Sequence, residues 1–242
     1  MDSIVLAGGF AKRMLPLTEK TPKQLLDVAG DPMLSHVLHS LECVSPDRVI
    51  ISVNSFFAPN FDKFIEGYTG PLNLHLFVES SNSEEEKLGA LGALNLLFTE
   101  LSITGPVIIA GGDNLSDFDL SRMLTQSDKT QRDVIGLYDV EDYELAKLYG
   151  IAEIDGDRIV DFIEKPAEPE STLAATAYWL LSEEGISNFF EYINSGGDRD
   201  ALGNFLVWNV RRNDVRCVSF RGNWYDIGDL DSYNAAQKWL TK

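Results

Sequence analysis

The sequence predicts an α/β fold: a mostly parallel central sheet with helices on both faces, and a mixed β region that closes over it. Two observations carry that expectation. Through the first half of the chain, short apolar runs rich in β-branched residues alternate with helix-period patterns, as βαβ units do when they feed parallel strands. In the second half, strand-like runs follow one another with less helix between them, so the strand directions there should be mixed. With 242 residues, 44% of them hydrophobic, the chain is long enough to bury one substantial core and is read as a single domain.

The elements follow in order. The Ile4-Val5-Leu6 run carries no charge and reads as a buried strand ending at Gly8 and Gly9. Beyond Asp31, taken as a cap, and Pro32, the segment PMLSHVLHSLECV repeats apolar residues every three or four positions, the period of a helix with one buried face. VIISV from Val49 is a second strand, NFDKFIEGY from Asn60 a helix, and LHLFVE from Leu74 a third strand. LGALGALNLLFTEL from Leu88 is apolar almost all round, as a buried helix is, and PVIIAGGD from Pro106 is a fourth strand. A capped helix around DLSRML precedes VIGLYDV, YGIAEID, IVDFIEKP and AATAYWLL, all strand-like. GNFLVWNVRRN and LDSYNAAQKWL read as helices, separated by the strand RCVSF and a loop around Trp224. Such a Rossmann-like pattern binds ligands outside the carboxyl ends of its strands. Attention therefore falls on Gly8 to Lys23, the stretch after Glu79, Gly112 to Asn114, Glu164 to Pro166, and Trp224 to Asp229.

Composition narrows the chemistry. Acidic residues number 38 against 20 basic ones, a formal charge of -18, which repels a phosphate backbone and argues against nucleic acid as a partner. A chain this acidic that handles a phosphorylated ligand must gather its few Lys and Arg in one cleft and bring a cation. No apolar run reaches membrane-spanning length, and Met1 leads straight into a strand, so a cytoplasmic location and no membrane partner are expected. Cys43 and Cys217 have no metal-ligand spacing and read as buried free thiols. His36, His39 and His75 do not cluster, and Trp179, Trp208 and Trp239 read as core.

Gly8 and Gly9 let the backbone approach a ligand and offer N–H groups to it, although the pair alone is equally a tight turn. GGFAKR lacks the third glycine of a dinucleotide fingerprint, and no G-K-[ST] follows. Arg13 adds a planar donor fork and Lys23, after Pro22, a point charge suited to phosphate. With these in place, residues 6 to 26 resemble the signature of the sugar-nucleotidyltransferase family, GG-x-G-T-R-L-x-P-x-T-x-x-x-P-K, and the order of elements over nearly the whole chain agrees. The likeness is strongest to glucose-1-phosphate thymidylyltransferases.

That resemblance implies a nucleotide-binding part over about residues 1–115 and a sugar-binding part over about 116–242. Gly8 and Gly9 would line the base and sugar of the nucleotide, Arg13 would hold the triphosphate, and Lys23 would stabilise charge at the reacting α-phosphate. Gly89 would meet the base through its backbone, with close packing as the other reading. Asp113, after a buried strand, and Asp226, in a W-x-D-x-G segment, would hold Mg²⁺. Asn114 reads as turn structure, and Asp229 as the cap of the last helix. Gly150 would offer backbone to the sugar, Glu164 would accept its hydroxyls, and Lys165 would bind its phosphate. Thr176 is balanced between a sugar contact and core packing. The chain departs from the pattern at Phe10-Ala11-Lys12, where small-Gly-Thr is usual, at Glu79, where thymidylyltransferases carry Gln, and at Ala177, where Gly commonly follows the Thr.

The implied reaction is in-line attack by a sugar 1-phosphate, expected to be glucose 1-phosphate, on the α-phosphorus of a nucleoside triphosphate, expected to be dTTP or UTP. No general base is needed, because the attacking phosphate is already ionised. A mannose-1-phosphate guanylyltransferase and a catalytically silent sugar-nucleotide sensor are the alternatives; a dinucleotide oxidoreductase is disfavoured by the missing glycine. Self-association is left open. The chain's end, soon after Asp226, suggests a free-standing transferase without an acyltransferase β-helix.

Overall fold

The computed structural model describes residues 1–241. Its elements begin with β1 (Asp2–Leu6), β2 (Asp27–Val28), β3 (Asp31–Pro32), α1 (Met33–Glu42), β4 (Val49–Asn54), α2 (Ala58–Glu66), β5 (Leu74–Glu79), α3 (Ala90–Glu100), β6 (Val107–Gly111), β7 (Asn114–Ser116), α4 (Ser121–Thr130) and β8 (Val134–Asp139). They continue as α5 (Tyr143–Ala146), β9 (Gly150–Asp155), β10 (Arg158–Glu164), β11 (Leu173–Leu181), α6 (Glu183–Asn194), α7 (Leu202–Val210), β12 (Arg216–Phe220), β13 (Trp224–Asp226) and α8 (Leu230–Leu240). The fold is α/β. It forms two compact units, each assembled from separate stretches of chain: Met1–Leu88, Ala110–Asp119 and Gly222–Lys242 in the first, Gly89–Ile109 and Leu120–Arg221 in the second.

In the first unit β1, β4 and β5 run parallel, with Ser3 opposite Val49 and Val49 opposite Leu74. Every residue of β4 is buried, as expected of a strand covered on both faces. Helix α1 buries Met33, Leu34, Val37, Leu38 and Leu41, the apolar stripe that its period requires. Its cap is not Asp31, which pairs with Val28 in the small β2–β3 ribbon; Pro32 precedes the first turn with no side-chain cap. The segment around Trp224, expected to be a loop, is instead strand β13, antiparallel to β7. Asp229 caps α8 as expected, accepting from the backbone of Ser232, whose hydroxyl returns to the Asp229 backbone N–H.

The second unit holds the mixed strands. β12 runs parallel to β8, β11 antiparallel to β8, and β10 antiparallel to both β9 and β12. Helix α6 was not expected, yet its signal is local: Ser182 accepts from the Gly185 N–H, and Glu183 and Glu184 fill the first turn, where the helix dipole favours anions. Phe98, Phe189 and Phe205 stack edge to face at 5.2 and 5.5 Å in the core of this unit. The buried Asp133 carboxylate accepts from the Ser182 backbone and hydroxyl and from Asn209, joining α6 and α7 to the start of β8. Among the described residues no helix is long and apolar enough to cross a membrane.

Candidate active site

The glycine turn follows β1 directly. Asn54, at the end of β4, donates to the Gly8 carbonyl at 2.9 Å, and the hydrogen that replaces a side chain at Gly8 faces the buried Glu79 carboxylate. A Cβ there would lie 2.7 Å from Glu79 Oε1, so any larger residue at this position would make that carboxylate shift. Burial pushes the Glu79 carboxyl above its ordinary range, and the Ser52 hydroxyl, donating at 2.9 Å, offsets part of that. Gly9 is exposed, with open space where a side chain would stand. Ala11, where the family pattern has Gly, adopts left-handed φ of 48° and starts the short turn Lys12–Met14. Buried Met14 and the Thr18 hydroxyl, which donates to the Ala11 carbonyl, anchor that turn and leave Lys12 and Arg13 exposed. Lys12 faces Glu85 at 3.6 Å. The Arg13 guanidinium lies along Gly228 and contributes to holding the Asp229 carboxyl low, behind the Ser232 hydrogen bonds that dominate there.

Lys23, Asp113 and Asp226 are brought together from three distant stretches. Lys23 is 9% exposed, and its ammonium meets Asp113 Oδ2 at 2.5 Å. Burial pushes the Asp113 carboxyl upward, but the Lys23 charge and hydrogen bonds from Lys23 and Asn114 outweigh it and hold the group below its ordinary range. Asn114 is not turn structure: it opens β7 opposite Asp226, and its amide donates to Asp113 Oδ1 at 3.1 Å and Asp226 Oδ1 at 3.2 Å. The Trp224 indole donates to the Asn114 oxygen at 2.9 Å. The Ile227 N–H donates to the Asp113 carbonyl at 3.0 Å, tying the two segments at the backbone as well. Two aspartates offer the hard oxygen ligands that Mg²⁺ takes. Among the described residues no cluster of three or more His, Cys, Asp or Glu could hold a metal, so a cation on these two aspartates would need phosphate and water as its other ligands.

The second unit places Gly150, Glu164 and Lys165 together. Gly150 on β9 pairs with Glu164 at the end of β10, and the Lys165 N–H closes the corner by donating to the Tyr149 carbonyl at 3.0 Å. Lys165 has a left-handed φ of 48°, and its side chain is exposed; the following Pro166 disfavours the ordinary helical conformation at this residue. The Glu164 carboxylate sits between two glycines: a Cβ would come within 2.7 Å of Oε2 from Gly150 and 1.9 Å from Gly203. Burial raises the Glu164 carboxyl, and neighbouring Lys165 only partly counters it. Gly203, in the first turn of α7, was not singled out from sequence, because a glycine near a helix start has no distinctive pattern.

Two expected ligands stand elsewhere. Thr176 is 2% exposed, and its hydroxyl donates to the Gly136 carbonyl at 2.9 Å and accepts from the Tyr178 N–H at 3.2 Å. With its hydrogen spent inside the sheet, where β11 shifts register against β8, the Thr176 hydroxyl is packed in the core. Gly89 precedes α3 with φ of 75°, and the backbone of Arg199 and Asp200 crosses where its side chain would be. The Arg199 and Asp200 carbonyls accept from Ala90, Leu91 and Gly92, so close packing explains this glycine. Cys217 is a buried free thiol raised to about 11 by burial, whereas Cys43 is exposed, contrary to expectation. Trp179 is core; Trp208 and Trp239 are half-buried, the first under Arg212 and the second stacked on Tyr225.

The family model described as nucleotidyl transferase matches residues 2–242. A Sulfolobus acidocaldarius protein provisionally named a mannose-1-phosphate guanyltransferase is 31% identical over 232 residues, which are 94% of this chain. The chain spans 60% of that relative's length. A Haloferax volcanii UTP–glucose-1-phosphate uridylyltransferase is 28% identical over 183 residues, 75% of this chain and 72% of that protein. Among solved structures, a Bacillus anthracis protein provisionally named a glucose-1-phosphate thymidylyltransferase, in complex with sucrose, superposes with a TM-score of 0.79 at 23% identity, covering 99% of this chain and 94% of that one.

Proposed function

The chain belongs to the nucleotidyl transferase family, and from that premise we propose that it joins a sugar 1-phosphate to a nucleoside triphosphate and releases pyrophosphate. One observation carries the proposal: a buried lysine ion-paired to one of two aspartates that converge at the ends of β6 and β13. Two anions must meet in this reaction, and a strongly acidic chain would repel both without local cations. Arg13 holds the triphosphate through its donor fork, and Lys23 faces the α-phosphate, trading its bond to Asp113 for one to the developing charge. Asp113 and Asp226 would hold Mg²⁺, which supplies a hard Lewis acid and neutralises phosphate charge. Glu164 accepts hydrogen bonds from the sugar hydroxyls and Lys165 pairs with the sugar's phosphate. An oxygen of that phosphate then bonds to the α-phosphorus as the bond to the bridging β-phosphate oxygen breaks. Pyrophosphate leaves with the electron pair, and no proton need move.

Two substrate pairs have support. The Lys23-Gln24-Leu25-Leu26 run resembles pyrimidine-using transferases, as does the Haloferax relative, and supports dTTP or UTP with glucose 1-phosphate. The Sulfolobus relative supports GTP with mannose 1-phosphate. Glu79, where thymidylyltransferases carry Gln, is 4% exposed and accepts from the Ser52 hydroxyl, and it favours neither pair. The test is pyrophosphate release across the common triphosphates paired with glucose, galactose, mannose and N-acetylglucosamine 1-phosphates. Release with UTP or dTTP and glucose 1-phosphate selects the first pair, release with GTP and mannose 1-phosphate selects the second, and silence with every pair defeats the proposed activity.

A further inference from the structure

The polar residue between the two aspartates has no role in the reaction as described. Asn114 is 3% exposed, and its side chain meets three groups: Asp113 and Asp226 through its nitrogen and Trp224 through its oxygen. The partners fix which way the amide points. An indole N–H can only donate, so it requires the amide oxygen, and ionised carboxylates can only accept, so they require the NH₂. The reversed amide would set an oxygen against two anions and an NH₂ against an N–H.

We infer that Asn114 is the positioning residue of the paired-aspartate centre: its two amide hydrogens, held in place by Trp224, set the separation and facing of Asp113 and Asp226. A neutral group with two donors suits this task. It draws one oxygen of each carboxylate toward a shared nitrogen and relieves their repulsion without adding a charge that would compete with a cation. Asp113 Oδ2 remains outside the bridge, turned to Lys23. The backbone supports the same geometry, because β7 and β13 pair Asn114 with Asp226 and the Asp113 carbonyl accepts from Ile227. Outer-shell groups that orient carboxylate ligands commonly control metal affinity in this way. The inference rests on the proposed function for what the aspartates do, and on these contacts for how they are held.

The experiment titrates Mn²⁺ into wild type, Asn114→Ala, Trp224→Phe and the double variant, reading free Mn²⁺ by electron paramagnetic resonance, with thermal melting to confirm folding. Asn114→Ala should weaken Mn²⁺ binding about ten- to a hundredfold. Trp224→Phe, which leaves the donors in place but frees the amide to turn, should weaken it about two- to tenfold. The double variant should bind no worse than Asn114→Ala, because both changes remove one device. If Asn114→Ala does not fold, the Trp224→Phe shift alone decides. Wild-type affinity in Trp224→Phe and in a folded Asn114→Ala overturns the inference, as does a wild type that takes up no Mn²⁺. Pyrophosphate release measured in parallel separates the two claims: no release from any substrate pair, with the Mn²⁺ pattern intact, removes the proposed activity and leaves the positioning role standing.

Discussion

The two units handle a half-buried carboxylate in opposite ways. In the first, Asp113 sits against the Lys23 ammonium and an amide, and these partners hold it ionised despite burial. In the second, Glu164 is wedged between Gly150 and Gly203, its nearest countercharge is the exposed Lys165, and burial raises its carboxyl. The difference is chemical. A carboxylate kept charged by a cation and an amide is prepared for a metal cation, where full negative charge does the binding. A carboxylate desolvated among glycines gains most from hydrogen-bond donors brought by a neutral ligand, and sugar hydroxyls are such donors.

Breaking the first arrangement should have the largest effect. Asp113→Asn and Asp226→Asn should each lower turnover by about a hundred- to a thousandfold, because each removes a carboxylate proposed to hold the Mg²⁺ that would offset charge on the reacting phosphates. Asp229→Asn is the control: its role is the α8 cap, so it should leave turnover and Mg²⁺ dependence near wild type. Near-normal turnover and Mg²⁺ dependence in Asp226→Asn would remove the two-aspartate centre. In the second unit, Lys165→Ala should raise the KM for sugar phosphate about ten- to a hundredfold while sparing that for the triphosphate. Equal losses on both substrates would end the assignment of Lys165 to the sugar's phosphate.

Subtler changes sharpen the contrast. Gly203→Ala forces a methyl group to within 1.9 Å of Glu164 Oε2, so the carboxylate must move. Overpacking of this kind costs about 1–3 kcal/mol, and it should appear as a raised sugar-phosphate KM with little change for the triphosphate. An unchanged KM would show that Glu164 does not need its present position to bind sugar. The smallest effect is one of pH. Because the fold raises the Glu164 carboxyl above its ordinary 4.5, the stability associated with the protonated form is complete below that value and is lost as pH rises through the raised one. Glu164→Gln, which cannot ionise, should therefore melt higher than wild type near neutral pH and close to it at about pH 4. A constant difference across that range would show that desolvation of the charge is not what distinguishes this site.

The chain's own pattern determined its α/β class, most of its strands and helices, and the chemistry-bearing segments at strand ends, because hydrophobic period and turn residues are local signals. β1, β4, β5 and β6 lie where their β-branched runs placed them, and Asp229 caps the helix that its position announced. Position in the chain did not reveal how the segments are shared out. Residues 110–119 return to the first unit between the two stretches of the second, and the stretch from Gly222 returns after both, so Asp226 joins Lys23 and Asp113 from far along the sequence. The β7–β13 pairing that achieves this consists of two three-residue strands, too short for any periodicity to register. The same pairing turned Asn114 from an apparent turn residue into a bridge between two carboxylates, and a bond to the Gly136 carbonyl on β8 holds the Thr176 hydroxyl in the core. A residue type states which hydrogen bonds it can make; which partners reach it is decided by segments distant in sequence, and only the tertiary structure brings those together.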